Sequence, residues 1–152
     1  MPDSATQNAH QVVSSRTYDA PPEVVWAAWV DPTQVALWWG PECFETPLDS
    51  IVIEPRVGGR YHLTMVDTTS GTAFPVRQEI LEISPPELLV LSHDPMPEHG
   101  LLEAVVTRLE FHPHDGGTRL EVTGGPYNAE MGAGAEQGWS EQLDKLARVV
   151  ST

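Results

Sequence analysis

Turn signals recur about every dozen residues through the middle of the chain, and this spacing constrains the fold more than any other feature. The segments between the turns alternate apolar and polar side chains or are rich in β-branched residues. They cover residues 47–55, 60–66, 74–83, 88–92, 104–111 and 118–123, and residues 10–18 (HQVVSSRTY) also have strand composition. The pattern predicts a meander of antiparallel strands, with a hairpin turn at residues 114–117 (HDGG).

Two short helices are predicted between the first strand and the meander. Proline suits the first turn of a helix, where a backbone N–H would have no partner, so a helix is expected from about residue 22 to residue 30. Its buried face carries Val25, Ala28 and Trp29. Asp31 can cap a second helix that begins at Pro32.

A longer amphipathic helix is predicted at the end of the chain, from about residue 137. One face carries Trp139, Leu143, Leu146, Ala147 and Val150. The other face carries Glu141, Gln142, Lys145 and Arg148. The expected fold is α+β, with a curved antiparallel sheet of about six or seven strands around this helix. Because a curved sheet seldom fills the space around a single helix, an internal cavity is expected.

One domain is expected over residues 1–152, because a chain of this length can bury a sizeable core, with residues 1–9 flexible.

The adjacent indoles of Trp38 and Trp39 are expected to have different environments. Neighbouring residues on a helix point about 100° apart, so the two rings cannot face the same surface. Large aromatic side chains lie mostly in protein cores, and this favours a packed position for at least one of them. We expect Trp38 to be packed in the core and Trp39 to lie nearer a ligand.

The inward faces of the strands and of the last helix predict the residues that line the cavity. Besides Trp39, they are Tyr61, Leu63, Met65, Val105, Thr107, Leu109, Trp139 and Leu143. Most of these side chains are typical core residues, and the cavity is the volume that they leave unfilled. The hydroxyl groups of Thr107 and Tyr61 are the polar groups expected to orient a ligand.

Candidate catalytic and metal-binding residues are few. Arg77 and Glu79 share a face of their strand and could form an inward acid–base pair, or a solvated ladder after a local bulge. The His- and carboxylate-containing segments 93–100 and 112–115 lack any recognised ligand spacing, so no metal site is expected. No nucleophile, nucleotide-binding or CxxC motif is present, and no cofactor is expected.

Charge and cysteine content limit the classes of partner. The 22 acidic and 8 basic residues give a net charge of −14, which repels phosphate backbones and anionic lipids, so neither nucleic acid nor a membrane is an expected partner. The single cysteine, Cys43, excludes an internal disulfide. The first residues have neither the basic start nor the apolar run of a signal peptide, and we therefore expect a cytoplasmic protein.

Five segments, in the correct order, resemble a known family. They are RTYDAPPEVVWAAWVDPTQVALWWGP (16–41), VGGRYHLTM (57–65), EILEISPPELLVL (79–91), GGTRLEVT (116–123) and GWSEQLDKLARVV (138–150). The chain resembles the bacterial homologues of the activator of the heat-shock-protein-90 ATPase, which are START-like (SRPBCC) proteins with the helix-grip fold. Where many relatives carry a histidine after the strand at 118–123, this chain has Gly124 and Gly125.

The resemblance implies a hydrophobic ligand cavity between the sheet and the last helix. Relatives include polyketide cyclases, lipid and hormone carriers, and proteins without an assigned reaction. The first hypothesis is a non-enzymatic protein that binds a small apolar or aromatic molecule. The alternatives are a cyclase- or hydrolase-type enzyme that acts in the same cavity, and a chaperone partner. A sheet edge or an exposed apolar rim could also support a homodimer.

Overall fold

The structure is a computed structural model that describes residues 10–40, 42–95, 104–127 and 129–150, without the side chains of His10 and 126–134. The segment 1–9, predicted to be flexible, lies outside the described residues. The strands are β1 (His10–Tyr18), β2 (Phe44–Glu45), β3 (Val52–Ile53), β4 (Arg60–Asp67), β5 (Ala73–Ser84), β6 (Leu88–His93), β7 (Val105–His114) and β8 (Gly117–Tyr127). The helices are α1 (Pro22–Val30), α2 (Pro32–Trp38) and α3 (Ala129–Val150), with a 3₁₀ turn at Leu48–Ser50.

The strands form one curled antiparallel sheet in the order β1-β8-β7-β6-β5-β4-β2, and β3 also pairs with β4. This confirms the predicted α+β helix-grip-like fold. The sheet has eight strands in the described part of the chain because β2 and β3 each add a two-residue pairing to β4. In the β7–β8 hairpin, Asp115 and Gly116 have φ values of 48° and 81°, the left-handed pair that a tight two-residue turn requires.

The two short helices follow the predicted pattern. Pro22 is the first residue of α1, and Val25, Ala28 and Trp29 are fully buried. Asp31 caps α2, since its Oδ1 accepts the backbone N–H of Thr33 at 3.0 Å. Hydrogen bonds from Thr33 hold the pKa of Asp31 below its usual value, so the cap is ionised at neutral pH.

Helix α3 packs against β1 and both short helices. It has 22 residues and begins eight residues before the predicted start, at Ala129 rather than Gln137. Two side chains of β1 hold it. Arg16 forms an ion pair with Asp144 and donates to Ser140 Oγ at 3.1 Å, and the Tyr18 hydroxyl donates to the carbonyl of Leu143 at 3.0 Å.

One predicted strand is wrong. Residues 47–55 form the 3₁₀ turn and only the two-residue strand β3. The Ser50 hydroxyl donates to the carbonyl of Pro47 at 2.7 Å and accepts the N–H of Thr64 at 3.1 Å. A local bond within the 3₁₀ turn and a side-chain bond to β4 thus take the place of ladder pairing over the first half of the segment. Among the described residues, no helix is long and apolar enough to cross a lipid bilayer.

Candidate functional site

Four aromatic rings meet between the short helices, β4 and α3. The ring centroids of Trp29 and Trp139 lie 6.0 Å apart in a stacked arrangement, and that of Trp39 lies 5.8 Å from Trp29 and 6.3 Å from Trp139. Tyr61 of β4 completes the group at 5.8 Å from Trp39. We call Trp29, Trp39, Tyr61 and Trp139 the aromatic cluster. It joins three of the predicted ligand-binding residues to one that the sequence assigned to the core.

The adjacent indoles at the end of α2 have distinct roles. Trp38 is fully buried and donates its indole N–H to the carbonyl of Ala28 at 2.8 Å. The Tyr61 hydroxyl donates to the next carbonyl, that of Trp29. These side chains therefore satisfy carbonyls in the last turn of α1 that have no intrahelical partner. Trp39 is extended, with ψ at 138°, and its ring lies in the aromatic cluster.

The other predicted ligand-binding residues lie on the inner face of the sheet or on α3. Leu63, Val105, Thr107, Leu109 and Leu143 are buried, and Met65 and Trp139 are half-buried. Register places Thr107 beside Leu91 and Gly124, and Leu109 beside Leu89 and Val122. Among the predicted residues, the structure brings together Trp39, Tyr61 and Trp139 by ring contact. The roles of all nine in binding stay predictions.

Arg77 and Glu79, the candidate catalytic residues, are both exposed on the outer face of β5. The sequence placed Leu81 and Ile83 on the same face of β5 as these two residues. The pairing of β5 with β6 is irregular between Ile80 and Glu82, which separates the two halves of the strand. This bulge shifts the alternation, so the inward side chains before it are Val76, Gln78 and Ile80. The inward Arg77–Glu79 pair is therefore wrong, and the solvated alternative describes the structure.

Two glutamines and one indole N–H that are buried in the structure were not predicted from the sequence as buried polar groups. Gln78 and Gln142 are each 6% exposed, and Gln142 was predicted to face away from the core. Within the part of the chain that the structure describes, the Nε2 atoms of both residues and the indole Nε1 of Trp29 are buried and have no hydrogen-bond partner. Strand alternation from Val76 would have found Gln78. No helical pattern separates Gln142 from its exposed polar neighbours.

A groove of about 470 Å³ opens beside the aromatic cluster, between α2, the segment around β2 and α3. It is lined by Ala36, Leu37, Trp39, Phe44, Glu45, Thr46, Pro47 and Lys145. Lys145 Nζ donates to the carbonyl of Gly40 at 3.1 Å, and desolvation lowers its pKa. The groove is open to solvent, so the enclosed cavity expected from the sequence stays a prediction.

A second pocket, of about 310 Å³, lies at the C-terminal end of β1, near the β7–β8 turn. It is lined by Thr17, Tyr18, Asp19, His114, Asp115 and Gly117. It is also open to solvent, and it contains none of the predicted ligand-binding residues.

Three potential metal ligands meet on the outer face of β7 and β8. Ligand atoms of Glu110, His112 and Glu121 lie within 4.8 Å of one another. The sequence pointed only to the segments 93–100 and 112–115, because Glu110 and Glu121 come together through cross-strand pairing. Both carboxylates already have arginine partners, Arg108 at 2.5 Å and Arg119 at 2.8 Å. The hydrogen bond from Arg108 also lowers the pKa of Glu110.

Comparison with known proteins gives one family and several structures of the same fold. Residues 19–151 match the family described as Activator of Hsp90 ATPase homolog 1-like protein. No curated protein matches the chain in sequence. The structure is similar to that of protein CV1439 from Chromobacterium violaceum, with a TM-score of 0.84 and 26% identity over 93% of this chain and 97% of that one.

Two further solved structures carry the family name. The AHSA1 protein from Silicibacter pomeroyi has a TM-score of 0.76 and 23% identity over 91% of this chain and 96% of that one. The AHSA1-like protein from Aeromonas hydrophila has a TM-score of 0.74 and 23% identity over 93% of this chain and 92% of that one. These two likenesses concern the fold alone.

Proposed function

Because the chain belongs to the family of activator of Hsp90 ATPase homolog 1-like proteins, we propose that it binds a small apolar or aromatic molecule between the sheet and α3. The observation that carries the proposal is the position of Trp39. Its ring contacts Tyr61 and Trp139 on the inside, and the same residue lines the groove on the outside. A ligand that enters from the groove therefore meets an aromatic surface first.

The chemistry of this region favours carbon-rich ligands. The inner face of the sheet is lined mainly by aliphatic and aromatic side chains, and ring edges offer further attraction to an aromatic guest. A guest the size of an aromatic side chain buries about 150–250 Å². At about 25 cal/mol per Å², this supplies roughly 4–6 kcal/mol, which corresponds to dissociation constants between about 1 mM and tens of micromolar.

N-phenyl-1-naphthylamine, a neutral fluorescent probe of apolar sites, can test the proposal. We expect saturable binding, and we expect Trp39→Phe to weaken it by about threefold to tenfold because one ring contact is reduced. Trp26→Phe is the matched control, since Trp26 lies in the same core but pairs with Phe111, at 5.2 Å, outside the aromatic cluster. Folded wild-type protein that gives no saturable signal would contradict the proposal.

A second candidate function is an activator-like interaction with a chaperone. Leu37, 66% exposed, lines the groove, and Leu48, 50% exposed, lies in the 3₁₀ turn that α2 contacts. Exposed apolar side chains at the rim of a groove are typical of protein-docking surfaces. The test is the ATPase rate of a bacterial heat-shock-protein-90 with wild-type protein and with Leu37→Glu. An unchanged rate with the wild type would end this candidate.

The exposure of Arg77 and Glu79 on the outer face counts against the enzyme alternative, for which they were the candidate acid–base pair. A homodimer through a sheet edge is a separate proposal. The outer strand β1 has one unpaired edge in the described sheet, and Val13 on it is 64% exposed. Light scattering of the purified protein measures the mass directly.

A further inference from the structure

The outer face of β7 and β8 brings an imidazole and two carboxylates to one point. The ligand atoms of Glu110, His112 and Glu121 all lie within 4.8 Å of one another. We call these residues the Glu–His–Glu cluster. His112 is exposed and the two glutamates are half-buried, so an ion can reach the cluster from solvent. The cluster lies on the side of the sheet opposite the aromatic cluster.

The β7–β8 ladder explains why the three side chains converge. Glu110 and Glu121 are directly opposite each other, and His112 follows Glu110 by two residues, so all three project from the same face. Residues directly opposite in an antiparallel pair have Cβ atoms about 4.5–5.5 Å apart, and like charges at that separation destabilise the pair. A divalent cation between the two carboxylates replaces this repulsion with attraction.

The arginines beside the cluster bind the same oxygen, Oε2, of each carboxylate. Arg108 Nε donates to Oε2 of Glu110 at 2.5 Å, and Arg119 Nη1 lies 2.8 Å from Oε2 of Glu121. The other oxygen of Glu110, Oε1, lies 3.1 Å from Nε2 of His112. Carboxylates that bind a metal are commonly held by hydrogen bonds of their own. The arginines can therefore keep their bonds while Oε1 binds an ion.

The distance between two of the ligand atoms fits a tetrahedral zinc ion. Zinc binds nitrogen and oxygen at about 2.0–2.2 Å, which places two tetrahedral ligands roughly 3.3–3.6 Å apart. The 3.1 Å between Glu110 Oε1 and His112 Nε2 is close to that range, so small rotations of the two side chains are sufficient. Three protein ligands leave the fourth position of zinc to water.

The donor set and the charge select the ion. An imidazole nitrogen suits zinc and its neighbours in the first transition row, whereas Mg²⁺ and Ca²⁺ prefer oxygen ligands alone. The hydrogen bond from Arg108 lowers the pKa of Glu110, so this ligand is ionised at neutral pH. The net charge of −14 also raises the concentration of cations near the surface.

We propose that Glu110, His112 and Glu121 bind one Zn²⁺ ion on the outer face of the sheet. The ion joins β7 to β8 and stabilises the folded chain, because the ligands come together only when the hairpin is formed. No metal site was expected from the sequence, since the third ligand is supplied by strand register rather than by spacing along the chain. The site is independent of the proposed function.

Calorimetric titration of the untagged wild-type protein with Zn²⁺ tests the proposal. We expect one equivalent to bind and the melting temperature to rise with Zn²⁺. His112→Asn and Glu121→Gln should each weaken binding at least about tenfold, because loss of even a hydrogen-bond partner of a ligand costs about 10–100-fold. Both side chains are on the surface, so without Zn²⁺ these variants should melt close to the wild type.

His114→Asn is the matched control on the same strand. The His114 side chain is 48% exposed against 50% for His112, and its Nε2 lies 3.4 Å from Asp115 Oδ2. We expect this variant to bind Zn²⁺ as tightly as the wild type. An excess of Mg²⁺ should not displace the zinc, because Mg²⁺ does not favour an imidazole ligand.

Three results would overturn the zinc site. They are folded wild-type protein without saturable Zn²⁺ binding, binding that survives in both His112→Asn and Glu121→Gln, and an equal loss of binding in His114→Asn. The last result would mean that exposed histidines bind the ion without a defined site. Each of these results leaves the proposed binding of an apolar molecule in place, because that proposal concerns the other face of the sheet.

Discussion

The hydroxyl of Tyr61 offers a sharp test of how α1 ends. Tyr61 is fully buried and donates to the carbonyl of Trp29. Helix α1 stops at Val30, and the N–H of Thr33, which would serve that carbonyl in a longer helix, donates instead to Asp31 Oδ1 at 3.0 Å. Tyr61→Phe therefore leaves a buried carbonyl without a partner.

The expected loss in the free energy of unfolding depends on whether the acceptor carbonyl keeps another hydrogen-bond partner. Leaving a buried acceptor unpaired costs about 1–3 kcal/mol. Tyr18→Phe is the matched control, because it removes the same hydroxyl from a bond of 3.0 Å to the carbonyl of Leu143. That carbonyl lies inside α3 and keeps the N–H of Ala147, four residues on, so the loss should be about 0.5–1.5 kcal/mol.

Urea unfolding followed by far-ultraviolet circular dichroism measures both free energies of unfolding. We expect Tyr61→Phe to cost about 1 kcal/mol more than Tyr18→Phe, a further fall of roughly 2–4 °C in the melting temperature for a chain of this size. Equal losses, or a greater loss in Tyr18→Phe, would refute the reasoning that the side chains of α2 and β4 complete the end of α1.

Two further predictions concern stability alone. Hydrogen bonds from Arg60 lower the pKa of Glu54 from 4.5 to about 2, so the contribution of ionised Glu54 to stability is present above pH 4.5 and is lost as the pH falls towards 2. Glu54→Gln should therefore flatten the acid side of the plot of melting temperature against pH. An acid side that does not change would contradict this prediction. A Cβ at Gly117 would lie 2.2 Å from the carbonyl oxygen of Tyr18, whereas one at Gly71 (φ +76°) meets nothing within 4 Å. Gly117→Ala should therefore cost at least about 2 kcal/mol in urea unfolding, against about 1 kcal/mol for Gly71→Ala, and the reverse order would contradict the argument.

Local signals were enough to predict most of the fold. Asp31 before Pro32 predicted the start of α2, and the HDGG turn predicted the β7–β8 hairpin. In both places the local residues determine the structure: a carboxylate caps the helix in one, and residues that tolerate positive φ form the turn in the other. The inner faces of β4 and β7 followed from alternation with a period of two, because neither strand is interrupted where it pairs with β5 and β6.

The errors lie where distant contacts override the local pattern. The bulge between Ile80 and Glu82 placed Arg77 and Glu79 outside, and nothing in the alternating run marks the extra residue. Gln142 was assigned to the solvent face because amphipathicity separates residues by polarity alone. It is buried, and its Oε1 accepts the N–H of Gly40, which lies more than a hundred positions away in sequence. Contacts between residues so distant in sequence can be identified only once the relative positions of the helices and strands are known.

Gly40 explains how the groove and the aromatic cluster are joined. Its φ of +96° turns the chain out of α2 after Trp39, and α3 binds both of its polar groups. Gln142 accepts its N–H at 3.1 Å and Lys145, one turn later, donates to its carbonyl at 3.1 Å. The position of Trp39 is therefore set by α3 as well as by the sheet.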